Sequence, residues 1–270
     1  MYESSFQNVR VEDVSSNYFN MCGVLEGQNG VRALRLDGLY HSAVRLMGGI
    51  PDPTQSPVFR YIRCLDLVRW YAPDSTSFLY LGLGAGVAPS RMLSIEPVAS
   101  IQVVEIDPVV VQAATEQFGF DSDKIPVATQ EAGQWLEVSE DKFDVIVVDV
   151  YLDDSMADHL LTEEFVLLLH DHLTDNGVVA VNLMGPLEGP NSARVRTTIN
   201  AYYKIFGEGH LYPIYNGSNN FDLAASGLNT ELFVAKSNLF EDLDSTSDRG
   251  GVKLDAALSR IIFDRYKKQL

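Results

Sequence analysis

Cysteine is nearly missing from this chain: Cys22 and Cys64 are the only two in 270 residues. That is too few for a disulfide framework and points to a reducing compartment. No apolar run reaches the ~18 residues of a bilayer span, so no membrane segment is expected. Basic residues are few, with 20 Lys and Arg against 37 Asp and Glu and a formal charge of −17. Nucleic acid, whose phosphates want clustered Lys and Arg, is therefore not an expected partner. The opening residues Met1-Tyr2-Glu3-Ser4-Ser5 carry neither the basic nor the apolar block of a secretory signal. Together these absences predict a soluble, cytoplasmic protein.

The residues that are present make an ordinary globular balance, 46% hydrophobic and 21% charged, enough apolar surface to offset chain entropy. The length suits one α/β domain with a small appendage. The acidic excess has two readings: a negative field that gathers cationic ligands such as polyamines, or plain solubility. Val31-Arg32-Ala33-Leu34-Arg35-Leu36 alternates apolar and polar and stops at the turn pair Asp37-Gly38. Residues 1–50 therefore read as a small antiparallel β-unit, and residues 51–270 as the remaining, larger domain. Apolar positions from Val58 recur at helical spacing and predict one helix to about Trp70. Beyond Pro73, Phe78–Leu81, Ile101–Val104, Val145–Val148 and Val178–Val181 are runs fit for strands buried on both faces. Helices are predicted between and after them, over 87–95, 108–118, 161–173 and 191–206. This alternation predicts a doubly wound, mostly parallel Rossmann-like sheet. Runs near 210–215 and 231–235 close it as an antiparallel pair, and Val252–Gln269 reads as a surface helix.

The sharpest local pattern is Leu81-Gly82-Leu83-Gly84-Ala85-Gly86, directly after the first buried strand. Glycines there allow a tight turn and a close ligand approach, with a helix N-terminus behind. The dinucleotide fingerprint wants glycine at its sixth position, and here that place is Val87. Gly82, Gly84 and Gly86 thus favour an AdoMet-type nucleoside over NAD; a structural turn is the other reading. Glu105 ends the next strand, where a carboxylate accepts from ribose hydroxyls. Glu131 follows the third strand, either to accept from an adenine amino group with Trp135 nearby, or simply to favour a helix start. Asp149 ends the fourth strand, either to hold or deprotonate an amine beside a sulfonium, or to cap a loop.

These segments, Phe78 to Glu105, Glu131 to Leu136 and Phe143 to Gly185, resemble the spermidine synthase (polyamine aminopropyltransferase) family, within the AdoMet-methyltransferase-like fold. Leu34-Arg35-Leu36-Asp37-Gly38 resembles that family's hairpin, and Val58-Phe59-Arg60-Tyr61 the segment with its active-site tyrosine. Tyr212-Pro213-Ile214-Tyr215 with Asn216-Gly217-Ser218 resembles its acceptor-side loop, and Glu231–Lys236 its last strand. The resemblance implies transfer of an aminopropyl group from decarboxylated AdoMet to an amine such as putrescine, releasing methylthioadenosine. It implies Glu105 at the ribose, Glu131 at adenine, and Asp149 and Tyr61 as base and orienting group. Asp153 and Tyr215 fall to the amine, no metal is needed, and a homodimer is implied.

Three departures stand out. The family's acid in the glycine loop is here Ala85, its Asp-Ser-Ser-Asp-Pro is Asp149-Val150-Tyr151-Leu152-Asp153, and its Tyr-His-Glu is Tyr61-Ile62-Arg63. A plain Gly-x-Gly-x-Gly loop also serves AdoMet methyltransferases. A methyltransferase acting on a small substrate, and a non-catalytic binder of nucleosides or polyamines, therefore stand as alternatives. His159, His170 and His172 lie close in sequence, but helical spacing puts the last two on different faces, against a metal site. Cys64 reads as a packed thiol.

Overall fold

Two sheets divide the chain according to those two sequence patterns. The computed structural model describes residues 9–14, 16–19, 22–27, 30–151, 158–214 and 229–237. The first sheet is antiparallel throughout: β1 (Val9–Val14), β2 (Cys22–Gly27), β3 (Val31–Leu36), β4 (Leu39–Met47) and β5 (Ile50–Asp52), in that spatial order. Asp37 (φ 44°) and Gly38 (φ 92°) turn β3 into β4. Positive φ at both positions is what a two-residue turn matched to strand twist requires.

The second sheet holds β6 (Ser77–Leu81), β7 (Ser100–Glu105), β8 (Val127–Thr129), β9 (Phe143–Val148), β10 (Leu173–Met184), β11 (Gly209–Ile214) and β12 (Asn229–Ala235). Its order is β11-β12-β10-β9-β6-β7-β8. The β10, β9, β6, β7, β8 series is parallel, and β12 pairs antiparallel with both β10 and β11. One face packs on α1 (Arg60–Leu65), α2 (Val68–Tyr71), α3 (Val87–Ile95) and α4 (Pro108–Phe118). The other packs on α5 (Ala132–Val138), α6 (Glu163–Asp171) and α7 (Ala193–Phe206). Both faces are covered, which explains why these strands are apolar at successive positions. This is the doubly wound, methyltransferase-like architecture expected from the sequence.

Two helices differ from expectation. The single helix over 58–70 is two, because the chain tightens to three-residue hydrogen bonds at Asp66 N to Arg63 O (3.2 Å) and Leu67 N to Cys64 O (3.0 Å). Asp66 is buried there and accepts from Arg91 Nη2 at 2.6 Å. The helix expected over 161–173 is a 3₁₀ turn, Asp158–Leu161, followed by α6. Thr162 caps α6 by accepting from Phe165 N (3.3 Å), and Leu173 already belongs to β10. The segment Val252–Gln269 lies outside the described residues. Among the described residues no helix is long and apolar enough to cross a membrane.

Candidate active site

The carboxyl ends of β6, β7 and β9 converge on the glycine loop, the place where open α/β sheets bind ligands. Asp149 N donates to Leu81 O (2.9 Å) and Gly82 N to Val104 O (2.8 Å), so Gly82 is pinned between β9 and β7. Its φ is 93°, and a Cβ there would lie 2.2 Å from the Asp149 carbonyl oxygen. No side chain fits. Gly86 (φ 70°) opens α3 and leaves no room for a Cβ against Phe120, at 2.5 Å. Gly84 differs: its Cβ would meet Ser42 Cβ at an ordinary 3.4 Å, so this glycine faces the ligand space under β4. Ala85 is fully buried among Val87 and Phe118 and contributes nothing to the wall.

That space is a cavity of about 530 Å³, bordered by Tyr61, Gly84, Glu105, Glu131, Asp149 and Asn182 among others. Gly82 also lines it, whereas Gly86 sits behind it. Asp153 and Tyr215 lie outside the described residues.

Glu105 accepts from Leu83 N (2.9 Å) and Asp107 N (3.0 Å), which orients its carboxylate at the loop. Burial pushes its pKa up against the pull of those N–H groups. Glu131 caps α5, accepting from Gly133 N (3.0 Å) and Gln134 N (2.8 Å), and it also meets His159 Nε2 at 3.0 Å. Burial works to raise its pKa, but the backbone N–H groups and His159 prevail and hold it below the usual range. The helix-start role is thus present, and the same carboxylate borders the cavity. Trp135 turns away onto Phe143, ring centroids 6.2 Å apart, and is not part of the wall.

Asp149 accepts from Asn182 Nδ2 (2.8 Å), and Asn229 Nδ2 in turn donates to Asn182 Oδ1 (2.9 Å). The Tyr61 hydroxyl donates to the His41 carbonyl (3.4 Å) and stands near the same carboxylate. Burial raises the Asp149 pKa, and Asn182 and the Tyr61 hydroxyl act downward. The Tyr61 phenol is held well above its ordinary pKa by burial and then by the charge of Asp149. It stays a neutral donor. Tyr151 OH donates to the Asn182 carbonyl and completes this end of the cavity. His41, also in the wall, is pushed down to about 4 by burial and is neutral near pH 7. The sequence alone assigns no place in the site to Asn182, Asn229, Tyr151 or His159, the last weighed only as a metal ligand. The one available signal was Asn182, a lone amide inside the apolar run from Val178 to Leu183.

Residues 67–193 match the family model described as spermine/spermidine synthase domain. Over that segment, a little under half of its length, the chain is similar to this family. The matched segment includes the glycine loop, Glu105, Glu131, Asp149 and Asn182, while Tyr61 and β12 lie outside it. A probable polyamine aminopropyl transferase of Bifidobacterium longum is 33% identical over 139 residues, 52% of this chain and 31% of that protein. An N-terminal histidine N-methyltransferase of Emericella nidulans is 27% identical over 223 residues, 74% of this chain and 38% of that protein. The chain thus spans about a third of the length of these two curated relatives. A spermidine synthase solved with the transition-state analogue AdoDATO superposes with a TM-score of 0.67 at 20% identity, covering 86% of this chain and 76% of that one. The superposition confirms the fold. Among the described residues, no group of three or more His, Cys, Asp or Glu side chains is placed to hold a metal ion.

Proposed function

We propose that this protein moves an aminopropyl group from decarboxylated AdoMet to a di- or polyamine and releases methylthioadenosine. The observation that carries this reading is Asp149, set beside the glycine loop and tied to Tyr61 and Asn182 at one end of the cavity. Glu105 and Glu131, with Gly82 and Gly84, receive the donor nucleoside, and Gly86 turns the loop behind them. The acceptor nitrogen meets Asp149, which takes its proton, while Tyr61 orients it and Asp153 and Tyr215 hold the rest of the amine. A C–N bond forms as the C–S bond of the sulfonium breaks, its electron pair staying on sulfur. The sulfonium is already activated, so alignment and a deprotonated amine supply most of the gain. The three cavity carboxylates and the charge of −17 favour a cationic acceptor.

Incubation with putrescine and either AdoMet or its decarboxylated form, read by mass spectrometry, tests the reading. A gain of one aminopropyl unit supports it. A gain of one methyl group supports the second reading, an AdoMet methyltransferase, which the Emericella relative and the absence of an acid at Ala85 favour.

Glu105→Ala is expected to weaken methylthioadenosine binding by roughly 10–100-fold, the worth of a charge-assisted hydrogen bond. Unchanged affinity in calorimetry removes Glu105 from the donor site. Assembly belongs to the same proposal: β1 ends the order of the first sheet, and an open edge favours pairing with a second copy. Light scattering should give about twice the 29.9 kDa chain mass, and a monomer-sized particle counts against a dimer. A cytoplasmic setting is consistent with two free, buried thiols.

A further inference from the structure

Glu231 is an acidic residue for which donor binding and proton transfer have no use. It lies in β12 at 0% exposure, and neither carboxyl oxygen has a hydrogen-bond partner. Its neighbours along the strand, Leu232-Phe233-Val234, are apolar and equally buried. An unpartnered buried carboxyl is costly to keep, and an apolar residue would pack there without that cost.

Strand register says what it stands beside. Val148 of β9 is level with Val181 of β10, so Asp149 falls level with Asn182, and Asn182 pairs with Glu231 of β12. Paired residues share a face of the sheet. Asp149, Asn182 and Glu231 therefore form one polar row across three adjacent strands, on the face covered by α1. The ends of the row are two strand spacings apart, roughly 9–10 Å at the backbone. Asn182 and Asn229, the latter two residues from Glu231 on the same face, both line the cavity. Glu231 stands directly behind that wall.

We propose that Glu231 holds the distal, non-reacting ammonium of a linear di- or polyamine laid across these strands, with the reacting nitrogen at Asp149. This rests on the aminopropyl-transfer reading and adds to it an anchor for the acceptor. In the free protein burial first and the Asp149 charge second raise the Glu231 pKa well above the usual range, which favours its protonated form. The titratable groups that sense its charge are Tyr61, Cys64 and Tyr151, all of them neutral donors or thiols. An arriving ammonium is the partner the carboxyl lacks, and the displaced proton goes to solvent.

The test compares 1,4-diaminobutane with 1-aminobutane by calorimetry in the presence of methylthioadenosine, for wild type, Glu231→Gln and Glu231→Met. The wild type is expected to prefer the diamine by about 10–100-fold, and both variants to lose most of that preference. Both variants should melt at or above the wild-type temperature at neutral pH, since a carboxyl with a raised folded-state pKa costs the fold stability as pH rises from its ordinary value toward the raised one. An unchanged diamine preference in the variants overturns the anchor, as does failure of both to fold, which would make Glu231 structural. Aminopropyl transfer with an unchanged preference sinks the anchor and spares the transfer reading. Lost preference without any transfer supports the anchor and sinks the transfer reading.

Discussion

Replacing Asp149 by Asn is expected to lower aminopropyl transfer by about 10²–10⁴-fold, the usual contribution of a general base. Methylthioadenosine affinity should change little, because the donor contacts proposed here lie on the glycine loop, Glu105 and Glu131. The variant keeps the size of the side chain, and a flipped amide still accepts from Asn182 Nδ2, so the geometry of Tyr61 and Asn182 persists. Only charge and basicity are removed. Turnover that falls by less than about threefold would mean that Asp149 merely caps its loop, since Asn is itself a good capping residue. The pH profile gives a second check. Burial raises the Asp149 pKa, so the wild-type kcat/KM for the amine should fall as pH drops through a value above the ordinary carboxylate range. The residual activity of the variant should lack that acid limb.

Gly82→Ala should be the most damaging change in the glycine loop. An L-residue at φ 93° is strained, and the added carbon would stand 2.2 Å from the Asp149 carbonyl oxygen, a backbone atom held by the β9–β6 pairing. Left-handed strain of ~1–2 kcal/mol and overpacking of ~1–3 kcal/mol together predict a loss of roughly 2–5 kcal/mol. For a domain of this size that is a fall in melting temperature of about 5–15 °C. Gly84→Ala supplies the control: its Cβ meets Ser42 at 3.4 Å, so only the backbone term applies and stability should fall far less. Equal melting temperatures for the two variants would contradict this account of the loop.

The strands were legible because a parallel strand covered on both faces needs apolar residues at every position, and short runs such as Val145–Val148 have few other uses. α4 was legible at both ends: Asp107 caps it by accepting from Val109 N, Pro108 opens it and Gly119 closes it at φ 75°. What escaped depends on partners distant in sequence. The break between α1 and α2 follows from Asp66 reaching Arg91, 25 residues on, and local periodicity carries no trace of it. His159 finds Glu131 across 28 residues. The Glu105 and Asp149 positions were readable because they end strands, whereas Asn182 and Glu231 lie inside strands and are joined to the site only by register. A single charge within the run from Thr230 to Ala235 was the visible clue to Glu231.

The order of the second sheet also bears on how the chain is made. β12 is the last strand to leave the ribosome among those described, yet it sits between β10 and β11 rather than at the edge. Until residues 229–235 emerge, β10 has one unpaired side and β11 has no partner. The exposed side belongs to Val178–Val181, buried to 0% in the finished protein, which makes it a template for pairing with other chains. A nascent chain stalled before residue 229 would present that edge with Asp149 already in place. Chaperone contact is therefore expected to peak during synthesis of the segment between β11 and β12 and to end when β12 inserts.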